Sequence, residues 1–172
     1  MELRKNIEPD FETVERLYPE VLRRILAYTD YCDANGDEDN SEYQKLEGVL
    51  HEMTGKDMSK FNLWEWWEEE GAEVLAFRIS LPSPQVIEDI TKSELEEIVR
   101  RQKTFTIPDA DDMSLKAVFY YHISDYFIDF LELNFKTFDY GLFQRQKDNQ
   151  GNYFEYTPEE IIEKLWKGKI PT

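Results

Sequence analysis

The first third of the chain begins with apolar residues at the spacing of an amphipathic helix. They recur every three or four positions from Val14 to Leu26, and Asp10 stands before them as an N-cap. Pro19 falls inside this pattern, where its missing amide donor is expected to kink or split the helix. The pattern therefore predicts one long first helix, interrupted near its middle.

A turn-forming acidic segment, residues 33–40, separates this helix from the next. Ser41 is expected to cap a second helix that runs to about Met53 and ends at Gly55. Beyond it, the spacing predicts a short helix over residues 63–70, with Trp64 and Trp67 on one side.

Residues 74–81 form an apolar run bounded by Gly71 and Pro82, which predicts a strand. The sequence from Thr91 to Glu94 has the form of a capping box and predicts a helix after it. A short strand is expected over residues 104–107, followed by an acidic loop over residues 108–112.

The last third carries a wide apolar face on a predicted long helix, and then a hairpin. The face comprises Phe119, Ile123, Tyr126, Phe127 and Phe130. Residues 140–156 predict a hairpin, and residues 157–160 predict a final helix with an N-cap, a proline and a capping glutamate. The predicted fold class is α+β: a helix-rich single domain over residues 1–172, with a long central helix and a small, mostly antiparallel sheet that includes the C-terminal hairpin.

The net charge of the chain excludes some classes of binding partner. The 37 acidic residues outnumber the 20 basic ones, which gives a formal net charge of −17. Such a field repels phosphate backbones and anionic lipids, so we expect neither direct nucleic-acid binding nor membrane binding. A single cysteine, Cys32, and an N-terminus without an apolar signal segment indicate the cytoplasm.

Two groups of polar side chains have a spacing that suggests metal binding. Asp33, Asn35 and Asp37 have the spacing of the first ligands of a calcium loop, but Glu38 and Gln44 occupy the positions that need glycine and a bidentate glutamate. We therefore expect no tight calcium site.

The second group is a polar stripe on the predicted long helix, formed by His122, Asp125, Asp129 and Glu132. His122, Asp125 and Asp129 are the candidate metal ligands of a metal-dependent hydrolase, with a further ligand required from a second element such as His51. The alternative is that the stripe is only the solvent-facing side of the helix. Phosphate-binding loops, nucleophile elbows and paired zinc-binding histidines are missing from the sequence. We predict a protein without catalytic residues or cofactors.

Two stretches of the chain hold many acids and no lysine or arginine: Ile25–Gln44 and Phe61–Phe77. The second interleaves its glutamates with tryptophans, of which Trp66 projects differently from its neighbours. Carboxylates beside large aromatics suit the capture of a cationic surface. The predicted partner-binding residues are Asp33, Asp37, Glu38, Asp39, Glu65, Trp66, Glu68, Glu69 and Glu70.

In size, acidity and aromatic content the chain resembles small bacterial immunity and antitoxin proteins, which neutralise basic toxins. The resemblance implies a non-enzymatic inhibitor that engages a basic protein partner. Two alternatives stay open at this point: a nucleic-acid mimic whose carboxylates imitate phosphates, and the metal-dependent hydrolase.

Overall fold

The computed structural model describes residues 2–106, 112 and 114–170, apart from the side chains of Trp67 and Glu69. The chain divides into two compact units. The helical unit consists of Asp10–Pro82 and Met113–Phe119, and the C-terminal unit consists of Met1–Pro9, Ser83–Asp112 and Tyr120–Thr172. That residues 1–172 form a single domain stays a prediction.

The helical unit contains four whole helices, a 3-10 turn and residues 115–119 of a further helix. The whole elements are α1 (Phe11–Asn35), α2 (Ser41–Thr54), the 3-10 turn Met58–Lys60, α3 (Trp66–Glu69) and α4 (Ala72–Ser80). Asp10 is the N-cap of α1 and accepts the backbone N–H of Thr13, as predicted. Pro19 lies inside α1, which continues through it, so the predicted interruption of this helix is wrong. Because α1 continues to Asn35, the acidic loop is shorter than the predicted residues 33–40.

One apolar cluster joins these helices. α1 supplies Val21 and Ile25, α2 supplies Leu50, and α4 supplies Leu75 and Ile79, all fully buried or nearly so. α1 packs against both α2 and α4. This cluster fixes the separation of α1 and α2, between which the candidate site lies.

The strand predicted over residues 74–81 is wrong, because this segment is the helix α4. Positions 72, 75, 76 and 79 are buried at helical spacing, and Phe77 and Ser80 are buried as well, while Glu73 and Arg78 face solvent. Ser80 donates its hydroxyl hydrogen bond to the carbonyl of Ala76, four residues back. A short apolar run is compatible with a buried helix as well as with a strand. Here the segment is helical because its buried face packs against α1.

The C-terminal unit holds the remaining elements. They are α5 (Lys92–Thr104), residues 120–134 of α6 (Leu115–Asn134), the 3-10 turn Tyr140–Phe143, β1 (Gln146–Lys147), β2 (Tyr153–Phe154) and α7 (Pro158–Lys167). β1 and β2 pair antiparallel, with Gln146 opposite Phe154. Both predicted capping boxes are present, at Thr91 with Glu94 and at Thr157 with Glu160.

Two details differ from the sequence-based expectation for this unit. The strand predicted over residues 104–107 is wrong at its first residues: Thr104 ends α5, where its hydroxyl bonds to the carbonyl of Arg100, and Phe105 and Thr106 belong to no element. Ile107 and residues 108–111 of the predicted loop lie outside the described residues. The apolar face of α6 buries Tyr126, Phe127 and Phe130, whereas Phe119 and Ile123 are half-exposed.

The fold class is α+β, helix-rich with a small two-stranded antiparallel sheet near the C-terminus. None of the helices in the described part of the chain combines the length and apolar character that a bilayer crossing requires.

Candidate functional site

The two acidic stretches of the sequence meet at one pocket of the helical unit. Its volume is about 490 Å³. The first stretch and the start of α2 contribute most of its lining, and Trp64 comes from the second stretch. We call it the acid-aromatic pocket; its lining residues are Tyr28, Asp37, Asn40, Tyr43, Gln44, Glu47 and Trp64.

Tyr28, on α1, is the most buried of the three aromatic residues of the pocket, with 7% of its surface exposed. It continues the helical spacing of Val21 and Ile25, which places its ring on the core side of α1. Burial raises the pKa of its phenol strongly, and hydrogen bonds with Cys32 and Asp37 raise it further. The phenol therefore stays neutral and donates to Oδ2 of Asp37 at 3.2 Å.

Tyr43 and Glu47 lie one turn apart on α2, so their side chains share a face of the helix. The ring of Tyr43 meets that of Tyr28 edge to face, with centroids 5.8 Å apart. Burial raises the pKa of the Tyr43 phenol; a hydrogen bond from the backbone of Leu63 opposes this, and the negative charge of Glu47 adds to it. Tyr43 and Glu47 both line the acid-aromatic pocket.

Trp64 completes the aromatic lining from the segment before α3. Asn62 holds this segment in a turn, since its Oδ1 accepts the backbone N–H groups of Trp64 and Glu65 at 3.2 and 3.0 Å. The neighbouring Leu63 is fully buried and anchors the turn. The Trp64 ring lies 5.9 Å from that of Tyr28 at 67°, and 39% of the residue is exposed. Trp64 therefore presents a large apolar surface to solvent at the rim of the pocket.

Asp37 caps α2 rather than facing solvent. Asn40 is the N-cap by position, with φ of 56° and no capping hydrogen bond from its side chain. Asp37 instead accepts the backbone N–H groups of Glu42 and Tyr43 at 3.2 and 2.9 Å. The prediction that Ser41 is the cap is wrong, because the helix already includes it and a carboxylate from the preceding loop reaches the free amides.

The charge of the acid-aromatic pocket is negative. Asp37 and Glu47 line it, and none of its lining residues is basic. Within the described residues, Glu47 has no ion pair. A second pocket of about 300 Å³ shares Tyr28, but its basic residues Arg23, Arg24 and Lys45 pair with acids on their own helices. The acid-aromatic pocket is thus the better suited of the two to a cation.

The other predicted partner-binding acids fall into two groups. Asp33, Glu38, Asp39, Glu65 and Glu68 are exposed. Asp39 also accepts the backbone N–H of Ser41, which lowers the pKa of its carboxyl. Glu70 is instead half-buried and forms an ion pair of 2.6 Å with Arg78. The side chain of Glu69 lies outside the described residues.

Trp66, a predicted partner-binding residue, is half-buried and packs against the apolar cluster. Its indole N–H donates to Oγ1 of Thr29 on α1 at 3.1 Å. These contacts support the fold, and the more exposed tryptophan of the pair is Trp64. Sequence reasoning missed Tyr28, Tyr43, Glu47 and Trp64 as site residues; the one available signal was the spacing of Tyr43 and Glu47 on a predicted helix.

The metal candidates of the sequence are not brought together as a site in the described part of the chain. His122 Nδ1 lies 3.0 Å from Oδ2 of Asp125, and Asp129 is exposed on the same helix. Asp33 and Asn35 belong to α1, so the predicted calcium-loop spacing is not presented by a loop. Within residues 2–106, 112 and 114–170, no three His, Cys, Asp or Glu side chains are grouped as metal ligands would be.

A comparison of this chain with family models, with curated proteins and with solved structures finds no match. The function is therefore argued from the pocket and its surroundings.

Proposed function

We propose that this protein is a non-enzymatic binder of a basic protein, as an inhibitor of the immunity or antitoxin type would be. The observation that carries the proposal is the acid-aromatic pocket, where the carboxylates of Asp37 and Glu47 and three aromatic rings line one cavity. Carboxylates attract a cationic surface, and partly exposed aromatic rings supply apolar area that becomes buried on contact.

The binding surface extends from the pocket over exposed acids. Glu38 precedes the lining residue Asn40, and Glu65 follows the lining residue Trp64 directly. Glu68 is exposed on the short helix α3. The pocket and these three glutamates are called the acidic face below. Asp37 and Glu70 are not substituted in the test below, because Asp37 caps α2 and Glu70 pairs with Arg78.

Charge has two separable effects on such a binder. A net charge of −17 speeds encounter with any cationic protein, wherever the charge is located. A local face adds a contribution that only its own residues carry, because the Debye length at physiological salt is about 8 Å. The proposal requires this local contribution.

The test compares two triple variants with the same change in charge. One carries Glu38→Lys, Glu65→Lys and Glu68→Lys on the acidic face. The matched control carries Glu2→Lys, Glu88→Lys and Glu132→Lys, three exposed acids of the C-terminal unit. Each is used to capture proteins from lysate of the source organism, and the association rate of the purified partner is then measured at low and high salt.

We expect a partner with a basic isoelectric point, whose association slows about tenfold or more with the acidic-face variant at low salt and much less with the control. An acidic partner, or equal slowing by both variants, would contradict the proposal. Competition by duplex DNA for the same partner would identify the nucleic-acid-mimic form of the binder.

A further inference from the structure

We propose that the acid-aromatic pocket binds an alkylammonium group, the end of a lysine side chain of the basic partner. This inference rests on the proposed function and names the chemical group that the pocket takes. It is carried by the arrangement of three rings and two carboxylates around one cavity.

Three aromatic rings line the pocket. Tyr28 contacts both other rings, with Tyr43 at 68° and Trp64 at 67° to its plane. Ring faces carry the negative part of the aromatic quadrupole and attract cations that lie within about 6 Å of the centroid. Rings that meet near a right angle enclose a corner. A compact ammonium head can contact two faces in such a corner, whereas a planar guanidinium favours stacking on one face.

The carboxylates supply the charge that an ammonium head needs. Asp37 is fixed in place by two backbone amides and the Tyr28 hydroxyl, so it is a rigid negative group of the pocket lining. Glu47 is half-buried and has no ion pair within the part of the chain that the structure describes. Transfer of an ammonium from water into this pocket is therefore compensated by ion pairing as well as by the rings.

The apolar stem of a lysine also finds a matching surface. Trp64, at the rim, is exposed over 39% of its surface. A four-carbon stem covers such a ring while the ammonium head reaches the carboxylates beyond it. The volume of about 490 Å³ accommodates the whole side chain.

The test uses n-butylammonium chloride as a probe that reproduces the lysine stem and head. It is titrated into the full-length protein at constant salt, and NMR follows the Trp64 indole signal and the Tyr43 ring signals. n-Butanol serves as the uncharged match and n-butylguanidinium as the arginine-like match. We expect saturable shifts of these signals with n-butylammonium, at lower concentration than with either match.

Variants locate the probe. Glu47→Gln and Trp64→Ala are expected to weaken n-butylammonium binding about threefold to tenfold, the second followed through Tyr43. Glu159→Gln, an exposed acid of the C-terminal unit, is expected to leave it unchanged. The signal dispersion of each variant reports that it is folded.

Three results would overturn the inference: equal shifts with n-butanol, tighter binding of n-butylguanidinium, or no effect of Glu47→Gln. Each of these leaves the proposed function standing if the acidic-face triple variant still slows partner association. Conversely, probe binding in the pocket combined with unaltered association of that triple variant supports the ammonium site and contradicts the protein-docking function.

Discussion

The rings of Tyr28 and Trp64 meet edge to face with their centroids 5.9 Å apart. Tyr28 lies on α1 and Trp64 in the turn before α3, so this contact joins the two acidic stretches of the sequence. It also leaves Trp64 partly exposed beside the carboxylates of α2 and its preceding loop. The candidate site depends on this tertiary contact.

Replacing Asp37 by alanine is expected to lower the free energy of unfolding by about 1–2 kcal/mol. The change removes the acceptor of two α2 backbone amides and of the Tyr28 hydroxyl. Urea unfolding followed by circular dichroism measures it. Asp33→Ala, at an exposed position of α1, is the control and should stay within about 0.5 kcal/mol of the parent. Equal effects of the two changes would show that Asp37 is not the cap.

The two neighbouring tryptophans should respond differently to truncation. Trp66→Ala removes a half-buried ring and its hydrogen bond to Thr29, so we expect a loss of about 2–4 kcal/mol in unfolding free energy. Trp66→Phe, which keeps most of the packing, should lose about 1 kcal/mol. Trp64→Ala should lose about 1 kcal/mol and mainly shorten the lifetime of the partner complex. A larger stability loss at Trp64 than at Trp66 would reverse these assignments.

Acid should destabilise the protein partly through Glu97. Hydrogen bonds from Arg100, opposed by burial and assisted by Arg101, hold the pKa of this carboxyl at about 2, below its usual 4.5. Because the folded-state pKa is lowered, the stabilisation is present above pH 4.5 and is lost as the pH falls from there towards 2.

We therefore expect Glu97→Gln to be less stable than the parent by about 1–3 kcal/mol at pH 7. The difference should shrink as the pH falls below 4. Thermal unfolding of both proteins across this range measures it. A stability difference that does not depend on pH would show that packing of Glu97, and not its charge, is what the substitution removes.

Phe127 on α6 is 1% exposed, and the guanidinium of Arg101 lies over its ring at 5.8 Å. Phe127→Ala should cost about 3–5 kcal/mol of unfolding free energy, measured in denaturant. Leu133→Ala, on the same helix but 38% exposed, is the matched control and should cost under about 1 kcal/mol. A cost below 1 kcal/mol at Phe127 would contradict its burial in a rigid core.

Local signals correctly predicted where three of the helices begin. Asp10, Thr91 and Thr157 act within three residues of themselves, so the sequence alone locates these caps. The apolar run of α4 has no such local signal that separates helix from strand, and tertiary packing decides its structure. The two acidic stretches contain some of the site residues, but the sequence does not show how these residues are arranged in space.

The pocket itself was beyond sequence reasoning for the same physical reason. The three rings come from different parts of the chain: Tyr28 from α1, Tyr43 from α2 and Trp64 from the turn before α3. Only the packing of these segments brings the rings together. Helical spacing separates Trp66 from its neighbours and therefore predicts it as a partner-binding residue. Its hydrogen bond to Thr29 is a long-range contact that spacing does not reveal.

Zero-length carbodiimide cross-linking of the protein to its captured partner tests the central claim most directly. This reaction joins a carboxylate to an ammonium only where the two are in contact, and mass spectrometry identifies both residues. The account predicts a cross-link from Glu47 to one partner lysine, with further links from Glu38, Glu65 or Glu68. The Glu47 link should be lost in Glu47→Gln and reduced at high salt. Cross-links confined to acids of the C-terminal unit, such as Glu132 or Glu159, would contradict it.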